Sequence, residues 1–113
     1  MAYETKDSGE RQEFSTGMKR DVQTDKPRYD LIWQPGIKRL AELMARGAAK
    51  YSARNWEKAS TVEELERFKA SAYRHFCQWF AGDTDEDHMS GCIFNLFGAE
   101  YVTQRLSKNL LQK

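Results

Sequence analysis

The segment Arg74-His75-Phe76-Cys77-Gln78-Trp79-Phe80-Ala81-Gly82-Asp83-Thr84-Asp85-Glu86-Asp87-His88 sets two imidazoles, an arginine and four carboxylates around one expected helix-to-helix turn. Asp83, Asp85 and Asp87 alternate along that turn and offer the hard oxygen donors that Mg²⁺, or Mn²⁺, prefers. His75, Asp85 and His88 are the groups able to hold or move a proton beside such a cation, and Arg74 can neutralise a phosphate. His88 and Asn95 stand seven apart, on one face of the following helix, and as polar groups in an apolar run they need partners. A second reading stays open: carboxylates at a helix start are common caps, and the two histidines and Asn95 could form a purely structural network. The alternate aspartates imitate the opening of a calcium-binding EF-hand loop, but His88 occupies its glycine position and Phe94 its closing glutamate position, which excludes that motif.

A basic segment complements the acidic one. Lys50 and Arg54 are phosphate-seeking cations, Asn55 has an amide able to read a base or ribose edge, and Trp56 has a ring able to stack. Lys50, Arg54, Asn55, Trp56, Arg74 and Asn95 are therefore the candidate substrate-binding residues, and the mixture fits a nucleotide better than a sugar or a lipid.

Positioning these groups falls to three amphipathic helices. Ile37, Leu40, Ala41, Met44, Ala48 and Tyr51 recur every three or four residues after Pro35, which suits a first helical turn. Gly47 inside this run implies either close backbone packing or an earlier helix end. Ser60-Thr61-Val62-Glu63-Glu64 holds two overlapping capping boxes, and Val62, Leu65, Phe68, Ala72, Phe76, Trp79 and Phe80 extend the second apolar face to a C-capping Gly82. Asp85 or Asp87 can cap the third helix, with Met89, Cys92, Ile93, Leu96, Phe97, Val102, Leu106 and Leu110 as its apolar face. No β-alternating run of useful length occurs. The expected fold is all-α, a small three-helix bundle over residues 26–113, preceded by a flexible tail over residues 1–25. That tail holds ten charged side chains, six acidic and four basic, with glycine breakers and no apolar period. Lys26 to Gln34, flanked by prolines, should be extended.

Composition narrows the function classes. A chain of 113 residues suits one domain with a limited core, so a second subunit is expected to complete it. A formal net charge of +1 argues against general nucleic-acid binding through a positive field. Cys77 and Cys92 lie in apolar helical runs and read as buried free thiols. With no signal core and no run of about 18 apolar residues, the expectation is a cytoplasmic protein with no membrane partner.

Lys26-Pro27-Arg28-Tyr29-Asp30-Leu31-Ile32, Gly47-Ala48-Ala49-Lys50-Tyr51, Arg54-Asn55-Trp56-Glu57-Lys58, Arg74-His75, Gly82-Asp83, Asp85, His88 and Asn95 resemble, in order, a bacteriophage family of dATP/dGTP diphosphohydrolase N-terminal domains. That family is similar to the all-α MazG-type nucleotide pyrophosphohydrolases. The resemblance implies Mg²⁺-dependent cleavage of a deoxypurine nucleoside triphosphate to monophosphate and pyrophosphate by a homo-oligomer in the host cytoplasm. The paired acidic motifs that hold magnesium in MazG-type enzymes have no counterpart here, since Glu63, Glu64 and Glu66 occupy a helix start and the third helix offers only Glu100. Two other classes remain open on sequence: a nucleotide-sequestering protein without catalysis, and a helical adaptor for a host protein.

Overall fold

Three helices carry nearly all the regular structure: α1 (Gln34–Lys50), α2 (Val62–Phe80) and α3 (His88–Leu111). The computed structural model describes residues 3–22 and 25–111; of the expected tail and domain, residues 1, 2, 23, 24, 112 and 113 lie outside it. The chain divides into two compact units, Met1–Ile32 and Trp33–Lys113.

The first unit is largely extended, as expected, and carries one small hairpin. Two three-residue antiparallel strands, β1 (Arg11–Glu13) and β2 (Lys19–Asp21), pair with Gln12 opposite Arg20. The turn closes through Gly17, at φ +89°, whose N–H donates to the Phe14 carbonyl at 2.8 Å, a left-handed position that glycine adopts without steric cost. Arg11 donates to both Asp7 and Asp21 and, with the Gly9 N–H, holds the Asp7 carboxyl down at about 2. A short 3-10 turn at Tyr29–Leu31 interrupts the segment expected to be extended, which resumes at Ile32, and is clasped by a two-pronged Arg28–Asp30 ion pair.

In the second unit the start of α1 and both ends of α2 coincide with a device in the sequence. Pro35 lies in the first turn of α1. Of the two capping boxes in the sequence, Thr61 with Glu64 is the one used: the Glu64 N–H donates to Thr61 Oγ1, and Glu64 Oε1 accepts from the Thr61 and Ser60 N–H groups. These bonds lower the Glu64 pKa. Gly82, at φ +85°, ends α2 in a Schellman arrangement, with Asp83 N–H donating to the Gln78 carbonyl and Gly82 N–H to Trp79.

α2 and α3 form an antiparallel hairpin, with His75 against Gly91 near the turn and Phe68 against Phe94 and Gly98 farther from it. Their seam is lined by Ser71, Ala72 and His75 on one helix and by His88, Gly91, Asn95, Gly98 and Val102 on the other, all buried. This corrects in part the apolar faces read from the sequence, of which Phe68, Ala72 and Val102 do lie at the seam. Phe76, Trp79, Phe80, Leu96 and Phe97 are exposed, Phe80 by 78% and Phe97 by 64%. A Cβ at Gly98 would lie 2.4 Å from the Phe68 ring, and one at Gly91 2.9 Å from the His75 ring. Helices that meet across glycines leave no room for large side chains between them, so the bulky groups sit on the flanks. Cys77, expected to be buried, is likewise exposed, while Cys92 is half-buried and burial raises its thiol pKa. Gly47 stays helical with open space where a Cβ would go, so neither close packing nor an early helix end explains it.

Candidate functional site

The turn between α2 and α3 is fixed at both ends. Gly82 delivers Asp83 at its start. At its close Asp87 caps α3, its carboxylate accepting from the Ser90 N–H at 3.1 Å and the Ser90 hydroxyl at 2.8 Å. Arg39 of α1 reaches the same carboxylate with two bonds, 2.6 and 3.0 Å, tying α1 to the start of α3. The Arg39 guanidinium, with help from Ser90, holds the Asp87 carboxyl far below the usual carboxylate range. Asp87 thus accepts four hydrogen bonds from Arg39 and Ser90 and lies apart from the cluster its neighbours make.

That cluster is Asp83, Asp85 and His88, which each offer one ligand atom within 4.8 Å of the others. Both aspartates are exposed, whereas His88 is 2% exposed. His88 Nε2 stands 2.7 Å from Asp85 Oδ1, and that hydrogen bond lowers the Asp85 pKa. On its other side His88 Nδ1 meets His75 Nδ1 at 2.9 Å, and His75 Nε2 faces Arg74 Nη2 at 3.4 Å. Burial, then the charges of Arg74 and His88, pushes the His75 pKa below the ordinary imidazole value. Two carboxylates and an imidazole are a mixed oxygen and nitrogen donor set. It fits a divalent cation such as Mn²⁺, which accepts both, and offers Mg²⁺ its two carboxylates with room for water or phosphate.

This corner opens onto a cavity of about 1480 Å³ lined by Asp83, Asp85, Asp87, His75, His88 and Asn95 together with Lys50, Arg54, Asn55 and Trp56. The basic segment is held by α3: Tyr101 and Arg105 donate to the Glu57 carbonyl at 2.8 and 2.7 Å, and the Tyr101 ring meets Trp56 edge to face at 5.0 Å. Arg54 adopts left-handed backbone geometry, φ 57° and ψ 33°. Its guanidinium lies 5.0 Å over the Trp56 ring and pairs with Glu57. A non-glycine residue in that region costs on the order of 1 kcal/mol, and such strain collects at functional sites.

Of the candidate residues, Arg74 alone does not line the cavity; it bonds to Gln78 at 3.0 Å and faces His75. Asn95 spends its amide on the Gly91 carbonyl, one turn back, at 2.7 Å.

The model of the family described as dATP/dGTP diphosphohydrolase, N-terminal, matches residues 16–109. The chain belongs to that family. Its match spans all three helices, the acidic turn and the basic segment. No curated protein and no solved structure matches the chain. Among the described residues, no helix of this family member is long and apolar enough to cross a membrane.

Arg39, Ser90, Tyr101 and Arg105 were missed by the sequence reading. Nothing in the local pattern marks Arg39, whose partner is 48 positions away. Gly91 and Gly98 were legible in principle, because they continue the stripe of His88 and Asn95 along one face of α3.

Proposed function

We propose that this family member hydrolyses a deoxypurine nucleoside triphosphate to the monophosphate and pyrophosphate with a divalent cation, Mg²⁺ or Mn²⁺. The observation that carries this reading is the meeting of the acidic corner and the Lys50 to Trp56 segment on the walls of one cavity. A triphosphate has strong negative charge to be met from both sides, and the cavity exceeds the roughly 300–1,000 Å³ of common small-molecule pockets.

Asp83, Asp85 and His88 would hold the cation, which when bound supplies positive charge to the phosphate oxygens and acidifies water. Lys50 and Arg54 neutralise the remaining phosphate charge, and Asn55 and Trp56 address the nucleoside. Asp85, whose pKa is already lowered by its bond to His88 before any cation binds, would be the carboxylate that orients an attacking water. Water attacks the α-phosphorus, the bond from that phosphorus to the bridging oxygen breaks, and pyrophosphate leaves with the electron pair. The same chain is read as a homo-oligomer: among the described residues the buried apolar side chains are Ala59, Ala72 and Val102, a core too small for a chain that exposes so many aromatic rings.

The test is release of pyrophosphate from each of the four dNTPs with Mg²⁺ or Mn²⁺. Turnover of dATP or dGTP, lost in Asp85→Asn, supports the reading, and no turnover of any dNTP overturns it. Nucleotide sequestration without cleavage is favoured by one feature, that both imidazoles are already engaged with protein partners; it predicts stoichiometric binding and recovery of intact nucleotide.

A further inference from the structure

Four side chains form one hydrogen-bonded line from the acidic corner to the outer side of α2: Asp85, His88, His75 and Arg74. A neutral imidazole has one N–H and one lone pair, so the line has a direction. Ionised Asp85 only accepts, which puts the His88 proton on Nε2. His88 Nδ1 then accepts, and His75 Nδ1 donates to it across 2.9 Å. His75 Nε2 is left with a lone pair, which the guanidinium of Arg74, always a donor, faces at 3.4 Å. Neither ring can turn aside easily: His88 is 2% exposed, and the His75 ring lies against the backbone of Gly91.

A cation held by His88 needs the Nε2 lone pair, and every later position must then invert. We propose that loading the Asp83, Asp85 and His88 corner with a divalent cation reverses the proton order of the histidine pair, turning His75 Nε2 from an acceptor facing Arg74 into an N–H donor for an anionic oxygen. This rests on the reading of that corner as a cation site. The protons balance: the His88 Nε2 proton leaves to solvent, the shared proton passes from His75 Nδ1 to His88 Nδ1, and His75 Nε2 takes one from solvent. Neither ring changes its charge. His75, which lines the cavity, thereby becomes a binding group, while Arg74, which does not line it, has no acceptor left on His75 and keeps its bond to Gln78. Because linkage is reciprocal, an anion bound to the new donor strengthens cation binding, so metal and phosphate are recruited together.

Only two histidines are present, so a ¹⁵N-labelled, untagged full-length chain shows four imidazole nitrogens. They are followed by NMR at about pH 8.5, well above the ordinary imidazole value near 6.5, during titration with Mg²⁺ and separately with Zn²⁺, with calorimetry of the same samples. The expected result is His88 Nε2 and His75 Nδ1 in the N–H range before addition, and His88 Nδ1 and His75 Nε2 there at saturation. Calorimetric binding with an unchanged proton order overturns the switch and leaves the cation site standing. A reversed order before any cation is added also overturns it. No binding of either ion removes the cation reading and the switch with it.

Discussion

The seam between α2 and α3 makes a prediction of opposite sign for one chemical change at two places. Adding a methyl group at a mid-helix glycine gains about 1 kcal/mol of helix propensity. At Gly47 the new Cβ meets nothing within 4 Å, so Gly47→Ala should stabilise the chain by about 0.5–1 kcal/mol. At Gly98 the Cβ would stand 2.4, 2.5 and 2.7 Å from three atoms of the Phe68 ring, far inside van der Waals contact. Phe68 is also packed edge to face on Phe94, with centroids 6.1 Å apart, so moving its ring disturbs a second one. Overpacking of this kind costs about 1–3 kcal/mol, and contacts this short belong at the upper end. After the propensity gain, Gly98→Ala should lose about 2 kcal/mol, which leaves the two variants about 3 kcal/mol apart. Urea denaturation at one protein concentration, with a common m-value, reads this directly. A Gly98→Ala variant as stable as the parent chain would refute the glycine-mediated seam.

Asp87→Ala removes the α3 cap and the Arg39 brace together, and should cost about 1–3 kcal/mol in urea denaturation, most of it the cap because Arg39 is partly exposed. The His75 pKa is lowered on folding, so below about pH 6.5 the unfolded chain binds more protons there; stability should fall as pH drops from 7 toward 5, by less than about 1.4 kcal/mol per pH unit per group, in melts across that range. Asp85 and Asp87 are lowered as well, and their contribution is present above the ordinary carboxylate value near 3.8 and lost below it. Chelation of divalent cations should abolish pyrophosphate release, with recovery on adding Mn²⁺ and weaker metal affinity in Asp83→Asn by about 10-fold or more. Light scattering after size exclusion should give more than one chain mass, and Phe76→Glu or Phe97→Glu should lower it; a monomer at all concentrations refutes the oligomer.

Helix count, order and ends were legible in the sequence because they depend on neighbours within a turn or two. Pro35, the Thr61–Glu64 box and Gly82 act on backbone groups at most four positions away, and each does in the structure what its position implies. The density of carboxylates and imidazoles between Asp83 and His88 was equally plain. Which carboxylates gather was not: Asp87 is withdrawn from the cluster by Arg39, and the alternation of aspartates is silent about that distant guanidinium. Hydrophobic periodicity named only part of the contact faces on α2 and α3: Phe68, Ala72 and Val102 lie in the seam, whereas Phe76, Trp79, Phe80, Leu96 and Phe97 are exposed. It reports where apolar mass lies around a helix, whereas the partner face is set by how closely two backbones approach, and here glycines at 91 and 98 decide that. The sequence alone determined three helices and a turn rich in carboxylates and imidazoles. Only the tertiary structure decided that the two imidazoles share a hydrogen bond and that the basic segment faces the same cavity, since both depend on separations in space that residue order does not encode.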